Sequence, residues 1–568
     1  MASWFGQPSV EVYNDIHVNF LPLNYAYVFL NTTLDHIGVY SVSEDCYKCP
    51  YKRQKSEYNA FGSDKTAVYK VCTGEQTKWR ILNNNYNDFI QPDYVRGLMC
   101  NMKPSLAEYG VYRLDVGKCV METEVPPINI YMPLLLFTLI ILSAITGFGL
   151  VKLFLKRNKK RHNEGLNLTA ERDNSDIMPS FHFLRGLLLI LIIFVTTGGG
   201  GYPIFSKNYG GLTVANCLLF AYTFSIGLKV PVMVEEDCRR GVSKRSMLGI
   251  VVLRSFVLLF VGVAISAAAS RSRFLAAPLW APLSCIAISY LMVATVYLIS
   301  VNKQGKSKNI IGTAGTLFWS WFLGAFLLII VIVSIHIFYN TECKQYAEFD
   351  PRRNSWMAQG NNCQEDNVFS EVFNKNMLCV NKDEPFYVDY YYGFTKGLLG
   401  IISHILTALV GLKAGVIYLQ HDDHSTKMKQ WCFWASSFGV TGIILAAVAS
   451  PLNYNLWPLS SILLIASATL FVYISIYHLT EVRQFRINII TTCGISSIAT
   501  LAGHLMFSNT FPFYWGRYLA THFLYLWQSA WIVCVWIAIS VCWVRLRGYL
   551  ITSIVSNEGA RSRVVLAW

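Results

Sequence analysis

The chain has 568 residues, 53% of them hydrophobic and only 14% charged, with a formal net charge of +14. Soluble domains carry roughly 25% charged residues, so the deficit excludes a wetted globular surface. The surplus Lys and Arg lie in short stretches between apolar runs rather than interleaved with aromatics on a polar face, which excludes nucleic acid as the partner and points to the lipid bilayer.

Residues 1–129 contain no apolar run of membrane length. They predict a small β-rich domain, with β-like stretches at Asn24–Leu30 and Thr66–Val71. Asn31-Thr32-Thr33 is a glycosylation acceptor if this part is translocated. The chain opens Met-Ala-Ser-Trp-Phe-Gly-Gln-Pro, without the basic and apolar regions of a signal peptide, so a leader ahead of the numbered start is expected.

The first apolar segment, 130–155, is followed by Lys156-Arg157-Asn158-Lys159-Lys160-Arg161. A basic block of this kind stays cytoplasmic, which makes 156–182 a cytoplasmic linker and 1–129 luminal. Further apolar segments follow at 184–202, 212–233, 247–270, 276–300, 313–338, 394–419, 431–450, 459–478, 486–507 and 523–545. Each approaches the ~20 residues needed to cross the hydrocarbon, giving about eleven transmembrane helices. Walking the orientation forward places Arg239, Arg240, Lys244, Arg245, Lys303, Lys306, Lys308, Lys427, Lys429, Arg483 and Arg486 in cytoplasmic loops. The expected fold is an α-helical polytopic membrane protein: a luminal domain, one leading helix, and a ten-helix unit over 183–568 with a luminal loop at 339–392.

Eight cysteines fall on the luminal side: Cys46, Cys49, Cys72, Cys100 and Cys119 in the first domain, and Cys343, Cys363 and Cys379 in the long loop. An even number in an oxidising compartment predicts disulfides. Cys46-x-x-Cys49 has half the spacing of a zinc site but no matching second pair, so no metal is expected.

Ionisable groups inside apolar segments are costly and therefore candidates for function. They are Arg185, Lys229, Arg254, Lys396, His404, Lys413 and His504. Arg185, Lys229 and Lys413 lie near helix ends, where snorkelling to the interface is an equally good account. Arg254 lies deeper, and a transporter would use such a charge on its pathway. His404 reads as a core histidine, while His504, in Gly503-His504-Leu505, suits a polar cavity. Thr196-Thr197-Gly198-Gly199-Gly200-Gly201 permits close backbone approach to a ligand or to another helix.

Phe183-Leu184-Arg185-Gly186, the glycine run and Gly211-Leu212-Thr213-Val214-Ala215 together resemble the heparan-α-glucosaminide N-acetyltransferase family. Arg254-Ser255-Phe256, Gly397-Leu398-Leu399-Gly400, Ala414-Gly415, Asn455-Leu456-Trp457, Gly503-His504 and Phe511-Pro512-Phe513 follow in the same order, and Cys46-Tyr47-x-Cys49 and Glu108-Tyr109-Gly110-Val111-Tyr112 extend the resemblance to the first domain. The resemblance implies a lysosomal membrane enzyme that carries acetyl from cytosolic acetyl-CoA to the terminal glucosamine of heparan sulfate in the lumen. It implies acetyl-CoA as cosubstrate rather than a resident cofactor and a glucosaminide glycan as acceptor, while a homodimer stays open. Arg185, Arg254, Asn455 and Trp457 become candidates for binding the cosubstrate.

Several positions depart from the family pattern. Lys207 stands nearest the family's catalytic histidine, Thr196 replaces an asparagine, and Asn216 and His182 each replace an aspartate. A lysine with pKa near ~10.4 is protonated where a histidine near ~6.5 can accept a proton. Three expectations follow: a non-catalytic relative that keeps a binding cavity, an active acetyltransferase rebuilt around His504 or His182, and a transporter. Lys207, Thr196, Asn216 and His504 are the positions on which the first two turn.

Overall fold

The computed structural model describes residues 5, 7–8, 10–14, 16–18, 21–31, 37–43, 52–54, 56–59, 66–73, 76–83, 98–162, 178–205, 213–270, 282–300, 322–327, 329–330, 347–350, 355–358, 397–448, 459–485, 487–507, 510, 512–513 and 521–557. Strand pairing in the first domain follows from period-two alternation of apolar residues. Along β3 (Tyr25–Asn31), Ala26, Val28 and Leu30 enter one core with Val39, Trp79, Ile81 and Leu114. Tyr27 and Phe29, on the opposite face, enter another with Val18, Leu21, Leu23 and Val111. Burying both faces explains why the strand is apolar almost throughout.

The short strands β1 (Val12–Tyr13) and β2 (Ile16–His17) pair with each other ahead of β3. The others are β4 (Ile37–Ser43), β5 (Lys52–Arg53), β6 (Ser56–Asn59), β7 (Thr66–Cys72), β8 (Thr77–Asn83), β9 (Leu98–Met102), β10 (Val111–Asp115) and β11 (Val120–Val125). They build a five-stranded sheet of order β11-β10-β3-β7-β6 and a four-stranded sheet of order β5-β4-β8-β9. All pairs are antiparallel except β3–β10, which runs parallel with Tyr27 beside Val111. A disulfide between Cys100 on β9 and Cys119 in the β10–β11 turn ties the two sheets together. Cys72 is also disulfide-bonded. Cys46, Cys49, Cys343, Cys363 and Cys379 lie outside the described residues.

The helical part begins with α1 (Tyr131–His162), which packs on the last helix. Then come α2 (Pro179–Thr196), α3 (Val214–Arg239), α4 (Lys244–Ser270), α5 (Pro282–Ser300), α6 (Gly397–Gln420), α7 (His424–Val448), α8 (Leu459–Tyr477), α9 (Asn488–Ile495), α10 (Ser497–Phe507) and α11 (His522–Asn557). A short hairpin, β12 (Ala347–Asp350) and β13 (Ser355–Ala358), falls within the long loop. Among the described residues, 8 helices are long and apolar enough to cross a membrane, and 9 if α9 and α10, bent by 75°, form one broken span. The eleven expected segments are thus matched at nine positions. The other two are α1, which contains the shorter apolar stretch Tyr131–Ala144, and 313–338, of which 322–327 and 329–330 are described and helical.

Close packing within the bundle comes from glycines that let backbones touch. A Cβ on Gly227 would strike the Ala408 carbonyl, and one on Gly411 the Phe224 carbonyl, so α3 and α6 meet without intervening side chains. Gly186 and Gly494 do the same between α2 and α9, against the carbonyls of Ile490 and His182. Large apolar side chains instead cover the outside, for example Leu253, Phe256 and Phe260 on α4, Phe433 and Ile443 on α7, and Trp527 and Trp531 on α11. In water this surface would aggregate; against lipid it is the expected exterior. The chain is a multi-pass membrane protein with a small β domain at one end of its bundle.

Candidate functional site at the domain junction

α2 ends at Thr196, and its next amides turn back on the helix, Thr197 N–H donating to the Ile193 carbonyl and Gly198 N–H to that of Val195. Gly198, Gly199, Gly200 and Gly201 then have φ of 105°, 51°, 75° and 76°. Four consecutive left-handed residues are affordable only without side chains. The glycine run is therefore a compact turn at the bundle end, and it holds Thr196 at the rim of the helical core.

The Thr196 Oγ1 lies 2.8 Å from His504 Nε2, with both residues buried. The same hydroxyl is 2.8 Å from the Ile192 carbonyl and 2.9 Å from that of Ile193. A threonine hydroxyl carries one hydrogen, and a carbonyl can only accept. Donation to the helix carbonyls makes Thr196 an acceptor for His504 Nε2–H, and Nδ1 then holds the free lone pair. His504 Nδ1 has no hydrogen-bond partner among the described residues, and neither do Gln528 Oε1 and Trp536 Nε1. These groups adjoin one another. The His504 ring meets Trp536 edge to face at 5.8 Å, Phe513 stacks on Trp536 at 4.8 Å, and Gln528 donates to the Phe513 carbonyl. Gly503 makes the approach possible, since a Cβ there would sit 3.0 Å from the indole. Buried polar atoms without partners are uncommon and mark places where water or a ligand completes the set. The cluster offers an acceptor nitrogen, an acceptor amide oxygen and a donor N–H.

A second pair lies beside it. His522, the first residue of α11, is fully buried, with Nε2 2.6 Å from Glu108 Oε2 and Nδ1 2.7 Å from the Gly200 carbonyl. Tyr202 stacks on its ring at 4.7 Å. From the β domain, Asn24 Nδ2 also donates to the Gly201 carbonyl at 3.1 Å. Burial, and then the Glu108 carboxylate, holds the neighbouring Tyr109 phenol above its ordinary range. His522 escaped sequence inspection because the last apolar segment was bounded at 523, one residue too late. Glu108 stood inside a recognised motif but had no assigned partner.

At the far end of α2, Arg185 is buried rather than snorkelling. Its guanidinium lies over Phe181 at 5.3 Å and Tyr222 at 5.5 Å, and donates to the Tyr222 hydroxyl, which donates on to Ser497. Lys229 Nζ sits 5.4 Å from the same Phe181 ring. Among the described residues no carboxylate lies within ion-pair distance of Arg185 or Lys229. Arg254 lies against Met233 Sδ at 3.4 Å, and His182 meets Phe181 edge to face. Eleven residues separate Arg185 from Thr196, about 16 Å along a helix rising 1.5 Å per residue.

The remaining sequence candidates fall elsewhere. His404 contacts Thr223 Oγ1 at 3.2 Å and stacks on Phe220, away from the junction. Lys413 lies over Trp434 at 5.2 Å. Asn31 closes β3, and Asn216 lies in α3. Lys207, Asn455, Trp457 and Lys396 lie outside the described residues. No group of three or more His, Cys, Asp or Glu side chains that could hold a metal ion occurs among the described residues.

No family model matches the chain. The heparan-alpha-glucosaminide N-acetyltransferase of Mus musculus is 22% identical over 541 residues, covering 84% of this chain and 81% of the mouse protein. The protein of the same name from Homo sapiens is 22% identical over 578 residues, covering 89% and 84%. Similarity at this level, over more than four fifths of the chain, supports a distant relationship to these proteins.

Proposed function

We propose that the chain is a membrane-embedded acetyltransferase, rebuilt around His504, that takes acetyl from acetyl-CoA and delivers it to an amine such as a terminal glucosamine. The arrangement of α2 supports this most directly. It presents buried Arg185 and half-buried Lys229, with no carboxylate at ion-pair distance among the described residues, at one end and the Thr196–His504 pair, about 16 Å away, at the other. Acetyl-CoA is itself a long molecule with phosphates at one end and a thioester at the other. Arg185 and Lys229, with Arg254 nearby, suit the phosphates, since such cations bind phosphate strongly where water is excluded.

In the reaction the amine nitrogen attacks the thioester carbonyl carbon, the C–S bond breaks, and the amine loses one proton while the thiolate gains one. The Nδ1 lone pair of His504 is the proton acceptor, and the resulting imidazolium can protonate the departing sulfur. Thr196 fixes the tautomer, and the Trp536 N–H is a donor for the oxygen that becomes negative during attack. Basic residues at the bundle end away from the β domain, among them Arg239, Arg240, Lys244, Arg245, Lys427 and Lys429, support a cytosolic donor side and a luminal acceptor side. Placement in the lysosomal membrane rests on the relatives' resemblance.

The decisive experiment incubates the purified protein with acetyl-CoA and a glucosaminide. Transfer should occur, and His504→Ala should lower it by about a hundredfold or more, while Arg185→Ala raises the KM for acetyl-CoA. Binding of acetyl-CoA without any transfer would favour the second reading, a non-catalytic relative. The replacement of the family's histidine by Lys207 is what supports that alternative.

A further inference from the structure

We infer that the β domain supplies a positioning residue to the helical site: Glu108, acting through His522 on the Gly198–Gly201 turn, sets Thr196 against His504. The inference rests on the placement of the site at Thr196–His504 given above, but its geometry stands apart from any turnover.

Both nitrogens of His522 face acceptors. The Gly200 carbonyl can only accept, so Nδ1 carries a hydrogen directed at it. Nε2 shares the remaining proton with Glu108 Oε2 at 2.6 Å. Neither nitrogen is left for a substrate, so His522 orients and does not react. What it orients is the backbone. The held carbonyl belongs to Gly200, four residues after Thr196, in a segment whose four glycines have no side chains to anchor it. Gly201 is held from the other side by Asn24, and a Cβ on it would lie 3.3 Å from His522 Nδ1 and 3.4 Å from Leu23.

The β domain commits unusual backbone to these contacts. Asn24 and Tyr109, each next to or among the contacting residues, have left-handed φ of 64° and 57°, which side-chain-bearing residues adopt only when their surroundings demand it. Tyr109 N–H donates to the Tyr25 carbonyl, locking the two segments together. The Ser529 hydroxyl donates to the Thr197 carbonyl from α11, about two turns along the same face from His522. The junction therefore grips residues 197, 200 and 201 at three points, two of them dependent on the β domain. Without those two, the turn keeps its internal bonds but loses its register against α10, where His504 sits.

Hydrogen–deuterium exchange on the full-length protein in detergent tests this. Glu108→Gln should speed exchange of the amides of Thr197, Gly198, Gly201 and Phe205 by about tenfold or more, while the amides of β3, β7 and β10 stay as protected as before. Glu124→Gln, at a half-buried position where it weakens contacts with Arg113 and Tyr13, should change neither set. Should Glu108→Gln fail to fold, Asn24→Ala and His522→Gln offer the same measurement with milder loss. Faster exchange spread evenly over the β domain would mean a structural role alone and would overturn the proposal, as would no change at 197–205. In a transfer assay, Glu108→Gln should lower kcat by about tenfold or more and leave the KM for acetyl-CoA unchanged, because the cations lie at the other end of α2. If the wild type transfers nothing, the acetyltransferase reading fails while the exchange result still decides the positioning role.

Discussion

Thr196 does two things at once: its backbone closes α2, and its hydroxyl takes the Nε2–H of His504. Thr196→Val separates these roles, since valine keeps the branched shape and removes the oxygen. The buried imidazole N–H would then lack a partner, and stability should fall by about 1–3 kcal/mol, read from unfolding of the detergent-solubilised protein. Unchanged stability would mean that the imidazole is not held by this contact. That His504 would lie among buried polar groups was legible from Gly503-His504-Leu505 near a helix end, whereas His404 in a similar apolar run read as a core histidine. Its partner was legible only through family resemblance, since a threonine near a helix end is ordinary. The Glu108–His522 pair was legible from neither. Its members are separated by 414 residues, and nothing in either local segment announces the other.

At the scale of helices, contact through glycine makes the bundle intolerant of small additions. Gly411→Ala places a methyl group on the Phe224 carbonyl, a backbone atom that cannot swing aside, and forces α3 and α6 apart. The expected cost is about 1–3 kcal/mol, seen as a lower melting temperature in detergent. Gly249→Ala on α4 has open space around its added Cβ and serves as the neutral comparison. A Gly411→Ala protein as stable as the Gly249→Ala one would refute tight α3–α6 packing. Apolar runs announced the helices well, because bilayer thickness fixes their length. The 75° bend between α9 and α10 was hidden inside the single run 486–507. Hydropathy averages over such a break, which follows Gly494, a poor helix former pressed on the His182 carbonyl, by two residues.

Across the whole molecule, the β domain depends on a covalent tie. Cys100–Cys119 joins strands of different sheets across 19 residues. Replacing both cysteines by serine should cost the domain about 3 kcal/mol, visible as reduced thermal stability with a smaller response to reductant, the remainder belonging to the Cys72 bridge. An undiminished response to reductant in the double variant would show that the Cys72 bridge carries the effect. The strands Tyr25–Asn31 and Thr66–Cys72 matched the stretches expected from alternation, and they pair with each other directly. Which sheet each remaining strand joins was not legible, because β3 pairs in parallel with β10 over a wide sequence separation that local patterning does not encode.

That parallel pair and the Glu108–His522 contact also dictate an order of synthesis. β3 must wait for β10, which emerges shortly before α1 reaches the membrane, so the domain closes just as the chain becomes anchored. Glu108 must then wait for α11, the final helix among the described residues. Closing so long a loop is entropically unfavourable until the helices between have already assembled and brought the two ends near each other. The glycine turn is consequently clamped late, and a chain stopped before residue 522 would carry α1 to α10 yet leave that turn held by Asn24 alone.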